Sequence, residues 1–125
     1  MSVNEIQIGG SHYKSVLQHW DFVVNHNVSY LIANATKYLT RWRKKNGVQD
    51  LEKAGHYVSK ALELYRAGTD VMTSTAGVAD CYSFCKTNGL DTRETLAFTL
   101  LSAEGANDNE LVHALEIIDE LKAAA

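Results

Sequence analysis

The chain has 125 residues and no proline, and its glycines fall at the edges of apolar-periodic runs. Proline breaks helices most firmly, because its ring fixes φ and removes a backbone donor. A chain free of it and punctuated by glycine is predicted to be mostly helical. The fold class that follows is all-α. A helical hairpin forms the core, behind an irregular, glycine-containing N-terminal segment and ahead of a C-terminal helical subdomain.

Periodicity places the elements. Ile6 to Lys14 reads as irregular. A first helix is predicted from near Ser15 to Asn25, ended by "NHN". A second spans Tyr30 to Lys45, with Leu31, Ile32, Ala35, Tyr38, Leu39 and Trp42 at helical spacing and Gly47 as a left-handed cap. A third runs from about Gln49 to Arg66, striped by Leu51, Ala54, Val58, Ala61, Leu62 and Tyr65. The short "NGV" joint makes the second and third antiparallel neighbours. Beyond Gly68 a fourth helix is expected over Thr73 to Thr87. Two capping-box spacings, Asp91 with Glu94 and Asn107 with Glu110, start a fifth and a sixth. The organisation predicted is a helical core over 1–68 and an acidic helical subdomain or oligomerisation unit over 69–125.

Net charge is −3, but residues 1–68 carry nine Lys/Arg against five Asp/Glu, and 69–125 carry three against ten. A basic half suits phosphate-bearing ligands; the simpler alternative is that the halves complement each other within or between subunits. The opening "MSVNEIQIGG" has neither the positive region nor the apolar run of a leader, and no stretch approaches a membrane span. Cys81 and Cys85, one helical turn apart, are poorly placed for a disulfide. These features predict a cytoplasmic chain with reduced thiols and no membrane partner. No metal site is predicted from the residues themselves.

The chemistry-bearing residues gather in the front half. Asn34, Lys37, Arg41 and Lys44 or Lys45 share one face of the second helix, and Asp50, Lys53, Tyr57 and Lys60 share one face of the third. In a hairpin these stripes converge near "KKNGVQD". The run "GGSHYK" (Gly9, Gly10, Ser11, His12, Tyr13, Lys14) can close over them, its glycines allowing close backbone approach. Lys and Arg neutralise phosphate oxygens, and Arg can bind two at once. Asn34 can read a base or sugar edge, while Tyr13, Tyr38 or Trp20 can stack on a base. Asp50 can carry a magnesium ion through water or orient the cations. His12 can donate to phosphate. Each residue also has a plainer reading. A face of Lys, Arg and Asn is often simply solvated, Asp50 suits a helix N-cap, and Trp20, Tyr38 and Trp42 suit a core. His19, His26, His56 and His113 read as ordinary surface or hydrogen-bonded histidines. No P-loop, dinucleotide fingerprint, nucleophile elbow or H-E-x-x-H is present.

Taken together, "GGSHYK", Gln18, Trp20 and Phe22, and then "NATKYLTRWRKKNGVQDLEKAGHYV", resemble a bacteriophage family of small helical proteins, partly of unknown function and partly nucleotide kinase-like. The family pattern falls on Gly9, Gly10, His12 and Tyr13; Asn34, Lys37, Tyr38 and Arg41; Lys45 and Gly47; and Asp50, Leu51, Lys53, Ala54 and Tyr57. It covers about the first half. Members often have Pro after the Gln, where this chain has His19. The resemblance implies nucleotide handling in the cytoplasm of an infected host cell, with some relatives phosphorylating deoxynucleoside monophosphates.

Three functions compete. A nucleoside monophosphate kinase would use Lys37 and Arg41 with Asp50 as catalytic groups and Lys53 on phosphate. It would need Mg2+ with a nucleoside triphosphate. A non-catalytic protein that sequesters a nucleotide, including a cyclic-nucleotide immune signal, needs the same pocket and no cofactor. Nucleic-acid binding through "KYLTRWRKKNG" is disfavoured by the overall acidity. The apolar stripes exceed what one small core covers, so a homo-oligomer is expected.

Overall fold

The computed structural model describes residues 17–125, and among these every regular element is helical. The order is α1 (His19–Asn25), α2 (Tyr30–Arg41), one 3-10 turn (Trp42–Lys44), α3 (Val48–Arg66), α4 (Val78–Thr87), α5 (Thr92–Ser102) and α6 (Asp108–Ala124). The expected all-α class holds. No described helix is long and apolar enough to cross a membrane.

The apolar spacing decides the packing. Ile32, Ala35 and Leu39 put one face of α2 inward, and Leu51, Ala54, Val58 and Ala61 do the same for α3. The two helices pack side by side as the predicted hairpin. α3 also packs on α6, which packs on α5, and α5 reaches back to α2. One buried cluster therefore runs through residues from both sides of Gly68. At its end Phe22, Phe84 and Phe98 meet with centroids 4.9 to 5.2 Å apart, joining α1 to α4 and α5. Gly55 departs from the expected pattern, since it lies inside α3. A Cβ there would stand 3.7 Å from Cγ2 of Ile118, so the glycine sits where α3 and α6 approach.

Three boundaries differ from expectation, each for a local reason. The first helix starts at His19, because Gln18 is extended and its carbonyl caps Asp21 and Phe22; Ser15 lies outside the described residues. α2 stops at Arg41, four residues early. Its continuation tightens into the 3-10 turn, where Trp42 and Arg43 are drawn toward Glu94 on α5. The fourth helix starts at Val78 rather than Thr73. Residues 69–77 form an extended strap, and their hydroxyls bond backbone instead of entering a helix. Thr73 Oγ1 donates to Asn27 O at 2.7 Å, Thr75 N to His26 O at 2.8 Å, and Glu104 N to Ala76 O at 2.7 Å.

Both predicted caps exist. Asp91 and Glu94 form the full reciprocal box. Asn107 caps α6 by accepting from Asn109 N at 3.0 Å, without the expected return bond from Glu110. Gly47 has φ +58 and ψ −131, a conformation open to glycine. It returns its N–H to Trp42 O at 2.8 Å and serves as the N-cap of α3.

Candidate functional site

The exposed side of the α2/α3 hairpin carries a groove of about 440 Å³, lined by Leu31, Tyr38, Lys53, His56, Tyr57 and Lys60. Its wall is aromatic. Tyr38 and Tyr57 stack at 6.0 Å with planes 12° apart, and Tyr30 meets Tyr57 edge-on at 6.4 Å. Burial, then the neighbouring Tyr30 and Tyr38, hold the Tyr57 phenol above its ordinary pKa.

Three cations surround one ring of that wall. Arg41 Cζ lies 4.7 Å from the Tyr38 centroid, Lys53 Nζ 5.2 Å and Lys37 Nζ 5.6 Å. The ring's negative face favours each of them, but gathering like charges raises the local potential. Among the described residues only Arg41 of the three has a carboxylate within 4.0 Å; its Nε stands 3.5 Å from Asp50 Oδ2. That Nε is buried and has no hydrogen-bond partner among the described residues.

Asp50 is the third residue of α3, not its N-cap, and is fully buried. Its Oδ2 accepts from Asn46 N and its Oδ1 from Asn46 Nδ2, both at 3.3 Å. The carboxylate therefore closes the turn onto the start of α3 and lies beside the Arg41 guanidinium.

A second polar knot ties the same turn to the start of α5. Glu94, a buried residue, accepts from Trp42 Nε1 at 2.6 Å and Arg43 Nε at 2.9 Å through Oε2, and from Asp91 N at 2.8 Å through Oε1. Arg43 also reaches Asp91 at 3.1 Å. Trp42 is a core residue, and Arg43 belongs to this knot rather than to the groove.

The predicted site residues divide into groups. Tyr38, Lys53 and Tyr57 line the groove, with Lys37 and Arg41 flanking it across the Tyr38 ring. Asn34 shares the face, but its amide donates to Tyr30 O at 2.9 Å. Lys45 is exposed in the turn and does not line the groove. Gly9, Gly10, Ser11, His12, Tyr13 and Lys14 lie outside the described residues. His56, read from sequence as an ordinary histidine, stands on the groove wall; the signal was its place one step from the Lys53, Tyr57, Lys60 stripe. Lys60 pairs with Glu63 one turn on.

Residues 9–59 match a protein-family model described as a protein of unknown function (DUF3310). The matched stretch takes in α1, α2, the 3-10 turn and α3 as far as Ser59, and so includes every groove residue except Lys60. No curated protein and no solved structure matches the chain.

Three further groups with shifted pKa values, His19, Cys81 and Cys85, do not line the groove. His19 Nε2 is 2.8 Å from Thr36 Oγ1, and burial, aided by Lys37, lowers its pKa to about 4. Cys81 and Cys85 are buried free thiols, each pushed up to about 12 chiefly by burial. Among the described residues no group of three or more His, Cys, Asp or Glu is arranged to hold a metal ion.

Proposed function

We propose that the α2/α3 groove binds a nucleotide, with its base against the Tyr38–Tyr57 wall and its phosphate among Lys53, Lys37 and Arg41. The observation that carries this reading is the convergence of three cations on the Tyr38 ring beside the buried carboxylate of Asp50. An anion entering there relieves the mutual repulsion of the cations, and charge-assisted contacts to phosphate are among the stronger hydrogen bonds. A flat apolar wall beside a cationic corner matches the two ends of a nucleotide. The resemblance of the front half to nucleotide kinase-like phage proteins adds support, and on that basis the ligand class is a nucleoside monophosphate in an infected cell.

A kinase needs Mg2+ carried with a nucleoside triphosphate. The described residues do not fit a protein-held Mg2+ at the groove, because Asp50 is buried and both its oxygens are engaged. A second reading, in which the groove holds a nucleotide, or a cyclic-nucleotide signal, without turning it over, needs no such ion. Calorimetry against nucleoside mono-, di- and triphosphates and cyclic dinucleotides, with and without Mg2+, tests both. Chromatography of the same samples follows. Conversion of a monophosphate supports the kinase; tight binding with intact ligand supports sequestration. No binding by any member removes the nucleotide reading.

A further inference from the structure

The rear segment, residues 69–125, exposes three large hydrophobic side chains, Val78, Tyr82 and Leu96, and Leu96 shares a groove with each of the other two. On α4, Val78, Tyr82 and Lys86 follow one another at four-residue steps. On the antiparallel α5, Thr92, Leu96 and Leu100 do the same. Between these stripes lie two open grooves that share Leu96. One, of about 490 Å³, is lined by Tyr82, Lys86 and Leu90, among others; the other, of about 200 Å³, is lined by Val78, Leu100, Glu104 and Glu110, among others.

Charge is ordered along this face. At the α4–α5 turn Asp91 is taken by Arg43, and the nearby Arg93 is taken by Glu120, which leaves Lys86 as the cation of that end. At the far end stand Glu104 and Glu110. Among the described residues neither Lys86 nor Glu104 forms an ion pair. The face thus reads cation, apolar centre, carboxylates.

We propose that this face is a two-fold self-association surface whose occupant is a second copy of the same chain. A two-fold axis near Tyr82 and Leu96 lays Lys86 of each copy toward Glu104 and Glu110 of the other and brings the apolar centres together. An isologous interface requires this self-complementarity, and the face has it built in. The two helices have 10 and 11 residues, so each is only about 15 Å long. The contact falls at the small end of specific interfaces and forms a concentration-dependent dimer.

Sedimentation equilibrium on the full chain, from about 1 μM to about 1 mM, tests this. The parent is expected to move from one chain toward two. Leu96→Glu should weaken association at least about tenfold with unchanged helical circular dichroism. Lys86→Glu and Glu104→Lys should each weaken it, and the double reversal should recover most of the loss, an outcome misfolding cannot imitate. A parent that stays a single chain throughout overturns the proposal and leaves the face to an unlike partner. So does Leu96→Glu associating as the parent does, or a double reversal no better than either single change.

Discussion

The indole N–H of Trp42 donates to the carboxylate of Glu94 at 2.6 Å, across 52 residues of sequence. The bond joins the 3-10 turn between α2 and α3 to the first turn of α5. It connects the basic half to the acidic half inside the core, where neither group has water to fall back on.

Replacing Glu94 by Ala removes the acceptor of Trp42, one of the two partners of Arg43 and half of the Asp91 capping box. A loss of about 2–4 kcal/mol is expected, the sum of an orphaned buried donor and a broken cap. Glu94→Gln keeps an acceptor and should cost less. Urea unfolding followed by circular dichroism measures both; an Ala variant as stable as the parent would show that the knot is incidental.

Lys37→Ala and Lys53→Ala each remove one cation from beside Tyr38 and leave the core intact. Each should weaken nucleotide binding by about 1–3 kcal/mol, the size of a charge-assisted contact, with little change in thermal midpoint. Calorimetry reads this directly. Parental affinity in both variants would place the phosphate elsewhere.

Asp50→Asn keeps the size of the side chain and removes the charge beside Arg41. If Asp50 acts by positioning, the variant loses about 1–3 kcal/mol of stability, and Mg2+ affects nucleotide binding equally in parent and variant. A Mg2+ dependence present in the parent and gone in the variant would instead give Asp50 a role toward the metal.

His19 makes stability depend on pH. Its pKa falls from 6.5 to about 4 on folding, so the unfolded chain takes up a proton before the native state does. The stabilisation is complete above pH 6.5 and is lost as pH falls toward 4. It amounts to at most about 3 kcal/mol. His19→Gln should flatten that part of the stability profile, as measured by denaturant titration at several pH values; identical slopes would count against it.

Cys81 and Cys85, held near 12 inside the core, have almost no thiolate at neutral pH. Thiol reagents should label them only as fast as the α4 region opens. Rapid labelling of the native protein would contradict their burial.

The periodic stripes made the hairpin and its inner faces legible, because one apolar face at helical spacing has few ways to be buried. Asp91 with Glu94 was readable for the same local reason. The strap over residues 69–77 was not, since its form depends on bonds from Thr73 and Thr75 to the distant end of α1. The role of Glu94 toward Trp42 was hidden likewise, as nothing local links them. In the groove the cationic stripes were visible and the stacking of Tyr38 on Tyr57 was not, because it exists only once α2 and α3 are side by side.

The strap has a consequence for how the molecule could be taken apart. It buries Val71 and Ala76 and packs Met72 partly against the core, whereas the contact between the two halves is made mainly by α3 against α6 and α2 against α5. A cut in the strap is expected to leave the two fragments associated through those helix pairs. The two fragments hold complementary halves of one interior, so the covalent link between them serves mainly to keep each half in reach of the other.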